Sequence, residues 1–204
     1  MGKTCTELFE GMDCTIIGNA QDEVEGIAYR SDKVKPGDAF FCIVGMKTDG
    51  HTFAQDAIDH GAKVLVVERK VYLADATDVT EVVVSDTRKA MAEASARFYD
   101  DPSRALSLVG VTGTKGKTTT VYMTRAVMDA VAGCETGLLS GKERYVGGEV
   151  VNSHLTTPES LELQQLLAQA REHHMPIVTL EVSSQAYQVH RVYGQHFNYG
   201  AFLN

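Results

Sequence analysis

An apolar run of strand length, Leu106-Ser107-Leu108-Val109-Gly110-Val111, passes straight into Thr112-Gly113-Thr114-Lys115-Gly116-Lys117-Thr118-Thr119-Thr120. A helical pattern follows from about Lys117 to Ala132, and Gly133 ends it. A glycine-rich turn between a strand and a helix narrows the possible folds sharply. Its successive amides point into one concavity, and the helix N-terminus adds about half a positive charge. The chemistry implied is phosphate binding, with Lys117 in reach of terminal phosphates and the Thr118 hydroxyl offered to Mg²⁺. The strict form of this pattern has a glycine where Val111 stands, so the loop is a shortened relative. The alternative is a plain strand-to-helix turn.

Around this feature, strand-length apolar runs alternate with helical patterns, which predicts an α/β chain with parallel sheets. In the first half, a strand over Ala39 to Val44 follows the turn Lys35-Pro36-Gly37-Asp38, and Thr52 to His60 reads as a helix closed by Gly61. Strands are expected at Lys63 to Val67 and Glu81 to Val84, then a helix from Asp86 to Tyr99. The breaker Asp100-Asp101-Pro102-Ser103 marks a domain boundary, giving domains 1–102 and 103–204. In the second half, Thr136 to Leu139 is a strand and Arg144 to Val151 a hairpin, because Gly147-Gly148 can take two positive φ angles. Thr157-Pro158-Glu159 opens a helix with Thr157 as N-cap and Leu161, Leu166, Leu167 and Ala170 on its buried face. Ile177 to Glu181 and Phe197 to Leu203 are the last strands.

A nucleotide-bound Mg²⁺ usually takes a carboxylate from a neighbouring strand, since oxygen ligands suit this hard ion. Glu181, ending an apolar strand at the edge where ligands gather in open α/β sheets, is the candidate; a solvent-facing strand end is the other reading. Thr156 and Thr157 could hold an anionic substrate, although capping alone explains Thr157 equally well. Ser183, Ser184 and Arg191 follow closely, and a guanidinium there either pairs with a carboxylate or phosphate or is a solvated surface charge. The adjacent His173 and His174 suit a helix end or solvent better than a metal, and Tyr122, Tyr187 and Tyr193 are expected to pack.

The 204 residues are 44% hydrophobic, enough for a buried core in each of two domains. With 19 basic against 27 acidic residues the net charge is −8, which removes the broad attraction to phosphate backbones that nonspecific nucleic-acid binding needs. Cys5, Cys14, Cys42 and Cys134 form no CxxC pair, so a reduced, cytoplasmic protein is expected. No stretch approaches the roughly 20 apolar residues of a membrane span, and no membrane partner is expected. Met1-Gly2 with Thr6 fits the loose myristoylation pattern, which matches often by chance.

The segment GVTGTKGKTTT closely resembles the ATP loop of the Mur ligases. LTTPESLELQQLL and LEVSSQAYQVHRVYG resemble stretches of the UDP-N-acetylmuramoyl-tripeptide synthetases within that family, and YRSDKVKPGDAFFCIVGMKTDG is similar to their nucleotide-sugar-binding domain. The resemblance implies a Rossmann-like, UDP-sugar-binding N-terminal domain followed by part of a P-loop central domain. It implies phosphorylation by ATP of the free carboxylate of UDP-N-acetylmuramoyl-L-Ala-D-Glu, then attack on the acyl phosphate by an amino acid, L-lysine or meso-diaminopimelate. By the same resemblance Gly113, Thr114, Lys115, Gly116, Lys117, Thr118 and Thr119 bind ATP, Lys117 and Glu181 are catalytic, and Thr118 and Glu181 serve Mg²⁺. Ser31, Thr156, Thr157, Ser183 and Arg191 contact the UDP-sugar peptide.

The chain departs from the family where Lys115 replaces a common Asn and where Arg30-Ser31-Asp32 reverses the charge order of Asp-Ser-Arg. SSQAYQVHRVYG is closer in wording to the lysine-adding branch. The family continues beyond the position of Asn204 into a carbamylated lysine, the adenine pocket and a third domain, so the chain alone is expected to be catalytically silent. Rival readings are another P-loop NTPase or kinase, a folylpolyglutamate-type ligase, and a non-catalytic nucleotide-sugar-binding fragment.

Overall fold

Val64, Leu65, Val66 and Val67 are all fully buried, the mark of a strand covered on both faces rather than one. In the computed structural model, which describes residues 2–45, 47–71 and 78–204, this strand is the middle of a five-stranded sheet. Met1, where the lipidation pattern starts, and Met46, within the first-half resemblance, lie outside the described residues. The chain divides into two compact units, Met1–Phe98 and Tyr99–Asn204.

The first unit opens with β1 (Lys3–Thr4), α1 (Cys5–Phe9), β2 (Cys14–Ile17), β3 (Glu23–Val24) and β4 (Gly26–Ala28). It continues with β5 (Asp38–Phe41), α2 (Ala54–Asp59), β6 (Val64–Val67), β7 (Thr80–Val84) and α3 (Thr87–Phe98). The sheet order is β2-β7-β6-β5-β4, parallel except for β2, which runs antiparallel to β7. Successive side chains of a strand face opposite ways. Accordingly Phe40 packs with Ala54 and Ala57 of α2, while Phe41 meets the ring of Phe9 of α1 at 6.2 Å. Helices therefore cover both faces.

Several sequence expectations need adjusting here. The strand expected over Ala39 to Val44 ends at Phe41, and the helix expected from Thr52 begins as a 3₁₀ turn, Gly50–Phe53, because the Asp49 carboxylate bonds the His51 amide and starts the turn early. Asp86 lies outside α3 and caps it, accepting from the amides of Arg88 and Lys89 at 2.9 Å each. All four cysteines are free thiols, and burial pushes Cys5 and Cys42 up to about 12, which keeps them protonated and unreactive.

The second unit begins with the breaker segment. Asp100 and Asp101 take left-handed φ values of 58° and 45°, which Asp tolerates better than most residues, and Pro102–Arg104 forms a 3₁₀ turn. Then come β8 (Ser107–Gly113), α4 (Lys117–Ala132), β9 (Gly137–Leu139), β10 (Glu143–Val146) and β11 (Glu149–Asn152). The unit closes with α5 (Ser160–Glu172), β12 (Ile177–Glu181), α6 (Ser184–Gln188) and β13 (Tyr199–Leu203). Sheet order is β11-β10-β9-β12-β8-β13, with β9, β12, β8 and β13 parallel. The β10–β11 hairpin turns at Gly147 and Gly148, with φ of 63° and 82° as their sequence predicts.

Leu108 and Val111, Leu138 and Leu139, and Val178 and Leu180 bring the three central strands into one core with Leu163, Leu167 and Ala170 of α5. Each fully buried leucine contributes roughly 1.5–3 kcal/mol. Leu163 is thus a core residue that the sequence pattern missed, and Leu166 is only half-buried. Tyr187 and Tyr193, expected to pack, are 55% and 36% exposed, because they sit on a five-residue helix and the turn after it, with only Ala186 of α6 turned inward.

Candidate nucleotide and substrate site

The strand β8 runs two residues further than its apolar pattern, to Gly113, and the loop Thr114-Lys115-Gly116 leads into α4. Gly113 has φ 137° and Gly116 φ 83°, both in the region that favours glycine. A Cβ on Gly113 would lie 2.1 Å from the carbonyl oxygen of Leu203, so β13 can pair along β8 only if residue 113 has no side chain.

Helix α4 opens on Gly116 with no side-chain cap, and its first internal bond joins the Thr120 amide to the Gly116 carbonyl at 2.9 Å. The amides ahead of Thr120 and the positive end of a sixteen-residue helix are thus presented to an outside acceptor. Thr114, Lys115, Gly116, Thr118 and Thr119 are exposed and Lys117 is half-buried. The Lys117 ammonium donates to the Gly113 carbonyl at 2.7 Å, folding back over the loop it serves.

Glu181 ends β12 and pairs in register with Val111 of β8. The connection leaving β8 goes to β9 on one side, whereas the one leaving β12 goes to β13 on the other, so the crevice between these strands is a switch point of the sheet. Ligands bind at such crevices because the loops part there. The Glu181 carboxylate is 2% exposed and its Oε1 accepts from the Gly141 amide at 3.0 Å.

Thr157, 0% exposed, donates its hydroxyl to the Glu181 carbonyl at 2.9 Å and accepts from the Ser183 amide at 3.0 Å. It is not the N-cap of α5, as its sequence position suggested. The cap position is Glu159, and the helix begins at Ser160, because tertiary bonds to β12 occupy the Thr157 hydroxyl. Glu159 in turn faces Arg191 rather than the helix dipole alone: Nε and Nη2 of Arg191 donate to its Oε1 at 3.0 and 2.6 Å. Arg191 Nη1 donates to the Thr157 carbonyl at 3.3 Å, and Arg191 is only 8% exposed, so the solvated reading of this residue is excluded. Ser183 caps α6 by accepting from the Ala186 amide at 3.2 Å, which leaves its own O–H free to donate.

Thr156, Thr157, Glu181, Ser183 and Arg191 are therefore gathered around the end of β12. Ser31 lies in the other unit, in the 3₁₀ turn Ser31–Lys33 after β4. Its neighbours Arg30 and Asp32 bond each other at 3.0 and 3.1 Å, so the reversed charge order neutralises itself across the serine. Gly141 escaped the sequence reading and Glu159 entered it only as part of a helix start, since neither an isolated turn glycine nor one helix-start glutamate announces a partner 40 or 32 residues away.

Two family models match nearly end to end: Mur ligase family, catalytic domain, over residues 23–108, and Mur ligase middle domain, over residues 111–204. The chain belongs to the Mur ligase family. It is 41% identical over 198 residues to the UDP-N-acetylmuramoyl-L-alanyl-D-glutamate–2,6-diaminopimelate ligase of Clostridium botulinum, covering 97% of this chain and 41% of the relative. It is also 41% identical over 189 residues to the UDP-N-acetylmuramyl-tripeptide synthetase of Bifidobacterium longum, covering 92% of this chain and 36% of the relative. This Mur ligase chain thus spans about two fifths of the length of such relatives. Among solved structures, a UDP-N-acetylmuramoyl-L-alanyl-D-glutamate–2,6-diaminopimelate ligase superposes with a TM-score of 0.76 at 21% identity, over 99% of this chain and 40% of that one, which shows the shared fold. Among the described residues no helix is long and apolar enough to cross a membrane.

Proposed function

We propose that this chain carries the ATP loop, the Mg²⁺ carboxylate and part of the nucleotide-sugar site of a ligase of peptidoglycan synthesis. That ligase adds the third amino acid to UDP-N-acetylmuramoyl-L-Ala-D-Glu. The carrying observation is the uncapped α4 N-terminus with its two positive-φ glycines, set at the same switch point as the buried carboxylate of Glu181. The diaminopimelate ligase named above favours diaminopimelate as the added residue, against the lysine-branch wording of SSQAYQVHRVYG.

In this reading the amides of Gly113 to Thr119 hold the ATP phosphates, and Lys117 leaves the Gly113 carbonyl to meet them. Lys115, exposed on the same loop, adds a second cation. A hard cation fits the donors present, the Glu181 carboxylate and the Thr118 hydroxyl, which suit Mg²⁺ rather than a softer metal. Mg²⁺ supplies charge neutralisation of the phosphates when bound. A carboxylate is a poor electrophile at neutral pH; its phosphorylation removes the negative charge and provides a leaving group, while fixed donors stabilise the developing phosphate charge. Thr156 and Ser183 offer hydroxyls to the UDP-sugar peptide. Arg191 acts by clamping residues 157 to 159, its fork being shared with Glu159.

Titration calorimetry with Mg²⁺-ATP on the wild-type chain and on Lys117→Ala tests the reading. A loss of at least tenfold in affinity with an unchanged melting temperature is expected; equal affinities overturn the nucleotide site. UDP-N-acetylmuramoyl-L-Ala-D-Glu raises the melting temperature by mass action if the muramyl assignment holds, and a plain P-loop NTPase or kinase shows no such rise.

A further inference from the structure

The three-residue connection between β9 and β10, Ser140-Gly141-Lys142, forms with Glu143 a turn closed by several hydrogen bonds. The Ser140 amide donates to the Glu143 carbonyl at 3.0 Å, and the Ser140 hydroxyl donates to the same carbonyl at 2.8 Å. That hydroxyl also accepts from the amides of Lys142 and Glu143 at 3.2 and 3.1 Å, so one side chain, 1% exposed, uses its whole bonding capacity to fix the turn. The one amide of the turn aimed outward to another element is that of Gly141, and it meets Oε1 of Glu181. No other protein hydrogen bond to the Glu181 carboxylate occurs among the described residues.

A carboxylate buried to 2% exposure with one oxygen held by a main-chain donor cannot rotate freely about its last torsion. Outer partners of this sort orient a metal ligand and set its affinity. The turn also touches Thr156: a Cβ on residue 141 would lie 3.3 Å from both Cα and Oγ1 of Thr156, so a side chain there would press on a residue of the proposed substrate site.

We propose that the Ser140–Glu143 turn is the positioning device for the metal carboxylate, the Gly141 amide fixing Oε1 of Glu181 so that Oε2 is the oxygen offered to the cation. This rests on the reading of Glu181 as the Mg²⁺ ligand. Ser140 and Gly141 are positioning residues: they touch neither nucleotide nor cation and act through Glu181.

The test uses Mn²⁺ as a paramagnetic probe. Its affinity for the chain's ATP complex is measured by electron paramagnetic resonance for wild type, Glu181→Gln and Ser140→Ala, alongside metal-free ATP affinity by calorimetry. Ser140→Ala is expected to weaken Mn²⁺ by about tenfold or more, the usual effect of losing an outer partner, with metal-free ATP binding unchanged. The amide proton resonance of Gly141 is followed in parallel by NMR and is expected to move upfield in Glu181→Gln. Native Mn²⁺ affinity in Ser140→Ala beside a loss in Glu181→Gln overturns the positioning role alone. Native affinity in Glu181→Gln overturns the metal reading beneath it. Should Ser140→Ala fail to fold, a Gly141 resonance unmoved in Glu181→Gln overturns the proposal by itself.

Discussion

The hydroxyl of Thr157 donates to the main-chain carbonyl of Glu181 at 2.9 Å, and the same oxygen receives the amide of Ser183 at 3.0 Å. One buried hydroxyl thus ties the segment leading into α5 to the end of β12, where the Glu181 carboxylate sits. Thr157→Val keeps the shape but strands a buried carbonyl and an amide. It is expected to cost about 1–3 kcal/mol in urea unfolding. Thr157→Ser retains the bonds and most of the stability; equal losses in both variants would assign the effect to packing instead.

Arg191 and Glu159 form a pair whose side chains are only 10% and 16% exposed. Arg191→Ala removes both fork bonds that Glu159 accepts from it, in a place with little access to water, and is expected to destabilise by about 3 kcal/mol. Arg191→Lys recovers only part of this, since an ammonium cannot reproduce the fork that reaches both Glu159 and the Thr157 carbonyl. Denaturant unfolding of the two variants checks the ranking.

In the first unit the Asp49 carboxylate pairs with Arg69 and accepts from both the amide and the Nδ1–H of His51, at 3.0 and 2.6 Å. Arg69 first, then the His51 amide, hold its carboxyl well below the usual carboxylate range. A group with a lowered folded pKa binds its proton more readily when the chain is unfolded. Its contribution is therefore complete above the ordinary value of about 4 and is lost as pH falls from there toward the folded value. The melting-temperature gap between wild type and Asp49→Asn is expected to be constant near neutral pH and to narrow below about pH 4. A constant gap down to pH 3 would refute the linkage.

Gly113→Ala places a methyl where the Leu203 carbonyl lies 2.1 Å away, on a residue with φ 137°. Two penalties coincide, backbone strain and collision with main chain that has no rotamer to yield. Faster amide exchange along β13 and weakened ATP binding are expected together. Retention of both properties would show that β13 can shift without loss.

The local features were the readable ones. The glycine-rich loop announces itself because strand, glycines and helix are contiguous, and α4 has the bounds its pattern predicts because Gly116 and Gly133, with φ 83° and 66°, delimit it. The start of α5 misleads, since Thr157-Pro158 has the composition of a cap while its hydroxyl is drawn to a strand 24 residues on. Arg191 looks like surface from its sequence neighbours alone, and only the fold reveals Glu159 beside it. Gly141 gave no signal at all, because a main-chain amide lends its chemistry to whatever the topology brings near. The short strands and helix before Gly26 escaped because runs of two to five residues carry too little periodicity to register.

Phe202, 84% exposed, stands opposite Thr112 on the strand that borders the glycine loop, and the chain contains no tryptophan. Phe202→Trp would therefore install a single indole emitter one residue pair away from Gly113, spectrally isolated from every other aromatic ring. Occupancy of the loop would then be legible as a shift in emission, without a label or a coupled assay.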